Sequence, residues 1–133
     1  MESDASAYLL IFRDSTPETY AAMSSCEREQ CLEDWYGWYD ALASTGKVQG
    51  GHPLETAGRV VSGTQGERVV DGPFAEAKEA IGGFFLLTVD SLDEATEIAR
   101  QCPNLKNGMT VEVRPVAKVC PLGQSLGRTT MRV

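Results

Sequence analysis

A single histidine, no C-x-x-C pair and no apolar run near membrane-spanning length set the first limits on this chain of 133 residues. Its longest nearly uninterrupted apolar stretch, Ile81 to Val89, has nine residues and includes two glycines, against about 20 for a bilayer span. Basic residues are also scarce, 12 against 19 acidic ones, for a formal charge of −7. Phosphate backbones and anionic membranes are recognised by clustered Lys and Arg, so neither nucleic acid nor membrane is an expected partner. The first residues, Met1-Glu2-Ser3-Asp4, are acidic where a secretory signal is basic, and the expectation is a soluble, cytoplasmic protein. Cys26, Cys31, Cys102 and Cys120 lack the dense spacing of a disulfide scaffold. Cys26 and Cys31, on a helix, face different ways, which argues against a shared metal. Reduced structural thiols are expected.

What remains fits one compact domain over residues 1–120, followed by a disordered tail over 121–133 that turns polar and Gly-rich. Ala7 to Phe12 reads as a buried strand, and Thr16-Pro17-Glu18 as the start of a brief helix. Ser24 and Glu27 have capping-box spacing at the head of a long helix to about Ser44, with Cys31, Trp35, Trp38, Tyr39 and Leu42 on one face. Gly50-Gly51-His52-Pro53-Leu54 reads as a loop, and residues 59–61 and 68–70 as a hairpin. Phe84 to Val89 predicts a central strand, Ser91-Leu92-Asp93-Glu94 a capped helix, and residues 109–116 a half-buried strand. Strand, helix, hairpin, strand, helix, strand is the order of an α+β, ferredoxin-like split β-α-β domain. Its helices cover one sheet face only, so a homodimer is expected to cover the other.

Several side chains could carry chemistry, each with a plainer alternative. Asp71, before Gly72-Pro73, is a candidate general acid or base if a pocket shields it, and otherwise a turn cap. Lys78, between acids, either forms surface ion pairs or points inward to bind an anion. His52 is the only residue of the type that changes charge near neutral pH, a proton carrier beside a pocket or simple surface. Arg59 and Arg114 could grip a substrate carboxylate or pair with local acids. Trp35, Tyr36, Trp38 and Tyr39 are core, or line a pocket or subunit contact. No Ser-His-Asp order, phosphate-cradling loop or metal-ligand cluster is present, so no cofactor is called for and cofactor-free proton transfer is the chemistry left.

Asp71-Gly72-Pro73-Phe74, followed by Glu76, Lys78-Glu79, Gly82-Gly83 and Val111-Glu112-Val113-Arg114-Pro115, resembles the DGPF branch of the YCII-related family. The resemblance runs from Tyr8 to about Val116. It implies a dimeric α+β barrel, similar in fold to muconolactone isomerase, with a pocket between sheet and helices for an unknown small molecule. It implies an enzyme without an established reaction, and relatives encoded beside extracytoplasmic-function sigma factors; with the residue reading, the expectation is an isomerase or lyase acting through Asp71, or else a non-enzymatic binding or regulatory module linked to such sigma factors. One departure stands out. The family's proposed helix histidine falls near Asp34 or Trp35, and the only histidine here is His52 in the following segment.

Overall fold

A computed structural model describes residues 6–14, 18–55, 57–72 and 80–130. In chain order the elements are β1 (Ser6–Asp14), α1 (Glu18–Ala21), α2 (Ser25–Ser44), β2 (Val48–Pro53), β3 (Gly58–Ser62), β4 (Arg68–Gly72), β5 (Ala80–Val89), α3 (Leu92–Ala99), β6 (Thr110–Pro115) and α4 (Pro121–Ser125). A 3-10 turn, Leu105–Asn107, leads into β6. The main sheet has four strands in the order β2-β5-β1-β6, every pair antiparallel. That is the ferredoxin-like order, and the chain is a mixed α+β domain. β3 and β4 form a separate two-stranded sheet between the second and third strands of the main one.

The predicted hairpin is therefore present but is an inserted arm. The sheet's second strand comes instead from β2, in the segment read from its glycines and Pro53 as a loop. Composition misleads here because β2 is an edge strand, where proline is tolerated at the end and glycine serves close approach. A Cβ on Gly51 would lie 2.5 Å from both the Phe84 carbonyl oxygen and Phe85 Cδ1. One on Gly83 would lie 2.8 Å from the His52 carbonyl oxygen. The glycines let β2 close on β5.

Alternation along the strands sends Tyr8, Leu10, Phe12, Phe85, Leu87 and Val89 to one face, where they bury against Trp38 and Leu42 of α2 and Ala95, Ile98 and Ala99 of α3. The other face carries Leu9, Ile11, Phe84 and Leu86, paired across β1 and β5. At its far edge Arg13 donates to Glu112 Oε1 from Nε at 3.1 Å and from Nη2 at 2.8 Å.

Local signals place both major helices. Ser24 caps α2 by accepting from Glu27 N–H at 3.1 Å, while Glu27 Oε1 accepts from Ser24 N–H at 2.8 Å. Ser91 likewise accepts from Glu94 N–H, but the Glu94 carboxylate reaches one residue further back, to Asp90 N–H, and pairs with Lys47 at 2.9 Å. Thr16 and Pro17, read as the start of the first helix, lie outside the described residues. Pro121–Ser125, placed by sequence in a disordered tail, forms the short helix α4, with Pro121 in its first turn and Gln124 Nε2 bonded to Val119 O at 2.9 Å. Among the described residues no helix is long and apolar enough to cross a membrane.

Leu10 is completely buried at the sheet centre, so Leu10→Ala is expected to cost about 2–5 kcal/mol in urea unfolding, the transfer loss plus an unfilled cavity. The caps make a second, pH-dependent prediction. Backbone N–H donation, from Ser24 to Glu27 and from Asp90 to Glu94, holds both carboxylates below their ordinary value. A pKa lowered by folding adds stability above the unfolded value and loses it as pH falls through the folded one. Glu27→Gln should thus melt below the wild type at neutral pH, and thermal melts in acid should show that gap closing.

Candidate functional site

Phe85 sits at the junction of sheet and helix, within 4.9 Å of the Phe12 ring, 5.1 Å of Tyr39, 5.2 Å of Trp38 and 5.6 Å of Trp35 by ring centroids. Most of these contacts are edge-on or tilted, the arrangement that the ring quadrupoles favour. Trp38 is buried, and its indole N–H has no hydrogen-bond partner among the described residues. Trp35 and Tyr39, one turn apart on α2, are only half-buried. They face a cavity.

That cavity has a volume of about 540 Å³ and opens beside the β2–β5 edge. Trp35, Tyr36, Tyr39, Phe12 and Phe85 supply aromatic walls, Leu32 and Met109 aliphatic ones, and Gly51, Gly82 and Gly83 a floor without side chains. The missing Cβ atoms at Gly51 and Gly83 let β2 pair closely with β5. A second cavity of about 390 Å³ adjoins it, lined by Tyr20, Arg28, Cys31 and Asn104 and sharing Leu32, Trp35 and Met109 with the first. Asn104 is buried there, its Nδ2 donating to Tyr20 Oη at 3.2 Å and its Oδ1 accepting from Asn107 Nδ2 at 3.1 Å.

Of the residues singled out from sequence, the fold brings together Trp35, Tyr39 and His52. His52 borders the cavity through β2, but it pairs with Phe84 in register and its ring rests 5.9 Å from that of Phe84. Strand alternation therefore directs the imidazole to the sheet face opposite Phe85, at the rim. Asp71 and Arg59 face each other across the β3–β4 arm. Both are exposed, and neither lines either cavity. Arg114 stands on β6, at the sheet edge remote from β2, with its Nε 3.7 Å from Glu112 Oε2. Lys78, with the rest of Pro73 to Glu79, lies outside the described residues.

Sequence reasoning missed Phe12, Leu32, Arg28 and the glycine floor. The signal for the floor was the two Gly-Gly pairs, Gly50-Gly51 and Gly82-Gly83, which pair with each other's strands across β2 and β5. Of the four cysteines, Cys102 is buried, Cys31 half-buried, and Cys26 and Cys120 exposed. Among the described residues no group of His, Cys, Asp and Glu could hold a metal ion.

The fold has solved counterparts. The structure of 5-chloro-2-hydroxyhydroquinone dehydrochlorinase from Burkholderia phenoliruptrix AC1100, in complex with 2,5-dihydroxybenzoquinone, is similar with a TM-score of 0.51 and 16% identity. The match covers 85% of this chain and 95% of that one, and at such identity it is a likeness of fold. An uncharacterised protein of Rhizobium meliloti (strain 1021) is 44% identical over 68 residues, 50% of this chain, so the chain matches about half, 55%, of that relative's length. The family model of the YCII-related domain matches residues 7–119. The chain belongs to the YCII-related family.

Proposed function

We propose that the protein binds a small planar organic molecule in the cavity between α2 and the β2–β5 edge. The observation that carries this reading is the cavity's lining: Trp35, Tyr39 and Phe85 offer ring faces and edges, and Gly51, Gly82 and Gly83 add no side chains to its floor. Pockets for small molecules are commonly concave, largely apolar and provided with few polar groups, as this one is. The dehydrochlorinase of similar fold is described in complex with a quinone, a molecule of the same flat shape. That likeness supports a ligand class without extending the other protein's reaction to this chain.

We assign to His52 only proton exchange at a part of the bound molecule that reaches round the β2 edge, because its imidazole lies on the sheet face opposite the aromatic walls. Asp71, which the sequence suggested for that work, is exposed on the arm and lines neither of the two cavities. A specific observation favours a second reading, binding without turnover as a regulatory module. Among the described residues, the cavity walls carry no carboxylate and no thiol to complete a reactive pair with His52. We also propose that a second copy of the chain covers the sheet face bearing Leu9, Phe84 and Leu86. Leu86→Asp should then shift the protein from dimer to monomer in sedimentation velocity, whereas a wild-type monomer would refute the pairing.

Binding of hydroquinone, followed by quenching of tryptophan fluorescence, tests the main reading. Trp35→Ala should weaken binding by at least about tenfold, the loss of one well-packed aromatic contact. Asp71→Asn should leave it unchanged, and His52→Gln should leave affinity intact while abolishing any proton exchange at the bound ring. Equal affinity in Trp35→Ala and wild type would sink the assignment.

A further inference from the structure

The geometry points to the second cavity as the anchor for an anionic substituent, so that the protein's ligand is an aromatic carboxylate or a ring bearing a comparable anion. This rests on the reading that the first cavity takes a planar ring. The two cavities share Leu32, Trp35 and Met109, so a ring lying against Trp35 in the first has the second directly beside it. There it meets Arg28, the sole Lys or Arg among the described residues lining either cavity.

Arg28, Leu32, Trp35 and Tyr39 follow the three-and-four spacing of one face of α2. At about 1.5 Å per residue, Arg28 and Trp35 are about 10 Å apart along the helix axis. That separation puts the ring at the cavity's aromatic end and its charge at the end nearer the helix start. The Arg28 side chain makes no ion pair among the described residues, although α2 is rich in acids. Asp34, six residues further along α2, is engaged by Lys106 at 4.0 Å and by Gln30 at 2.8 Å. A free guanidinium beside an apolar cavity is placed for a planar, two-point contact with a carboxylate. Asn104, fixed between Tyr20 and Asn107, and the Cys31 thiol complete the polar end without adding a competing negative group.

Isothermal titration of 4-hydroxybenzoate and its neutral counterpart 4-hydroxybenzamide separates the contribution of charge from that of the ring. Wild type should prefer the acid by at least about tenfold, a preference that shrinks as salt is raised. Arg28→Gln should erase the preference while leaving affinity for the amide unchanged, and Arg28→Lys should restore part of it. Circular dichroism confirms that the variants fold. Equal wild-type affinity for the two compounds, or a preference that survives in Arg28→Gln, overturns the anchor while leaving the ring-binding cavity standing. If neither compound binds wild type, the cavity reading falls and the anchor with it.

Discussion

The packing of Phe85 against Phe12 on the sheet and against Trp35, Trp38 and Tyr39 on α2 is the contact on which the rest depends. It fixes the height of the helix above the strands. Where the aromatic set is fully inserted, at Trp38, the layer is closed; where Trp35 and Tyr39 are only half-inserted, it opens into the cavity. One cluster thus builds core and site together. Phe85 also sets the requirement at Gly51, because any side chain there would strike its ring.

The two sheet edges consequently differ in character. On the β2 side, glycine and proline thin the wall beside the cavity. On the β6 side, Glu112 holds Arg13 and Arg114, and a charged corner closes the sheet. Arg13 and Arg114 at the second edge are spent on structure, whereas Arg28 on α2 makes no ion pair among the described residues and lines the second cavity. Position in the fold, more than residue type, separates these roles.

Much of the fold was legible because its signals are local. The Ser24–Glu27 spacing marked the start of α2, and Ser91 marked the start of α3. The alternation of Thr110–Pro115 and the apolar run of Phe84 to Val89 announced strands that the sheet uses as expected. β2 was not legible, since a strand made of Val-Gln-Gly-Gly-His-Pro is held by its neighbour and by no propensity of its own. The site was legible in part. Helical spacing found Trp35 and Tyr39, but Asp71 drew attention through its turn motif, and no sequence pattern says that its hairpin stands apart from the main sheet. Arg28 was invisible because a lone arginine among helix acids reads as surface until Asn104 and Met109 are brought beside it.

The central claim is that function resides between α2 and the glycine floor, not on the β3–β4 arm. A titration of the isotopically labelled protein with hydroquinone, followed by NMR, tests it most directly. The amide signals of Gly51, Gly82 and Gly83 and the Trp35 indole signal should move together and saturate together, while Arg59 to Asp71 stay still. Saturable shifts centred on Val60, Val70 and Asp71, with the glycine and Trp35 signals unmoved, would contradict it.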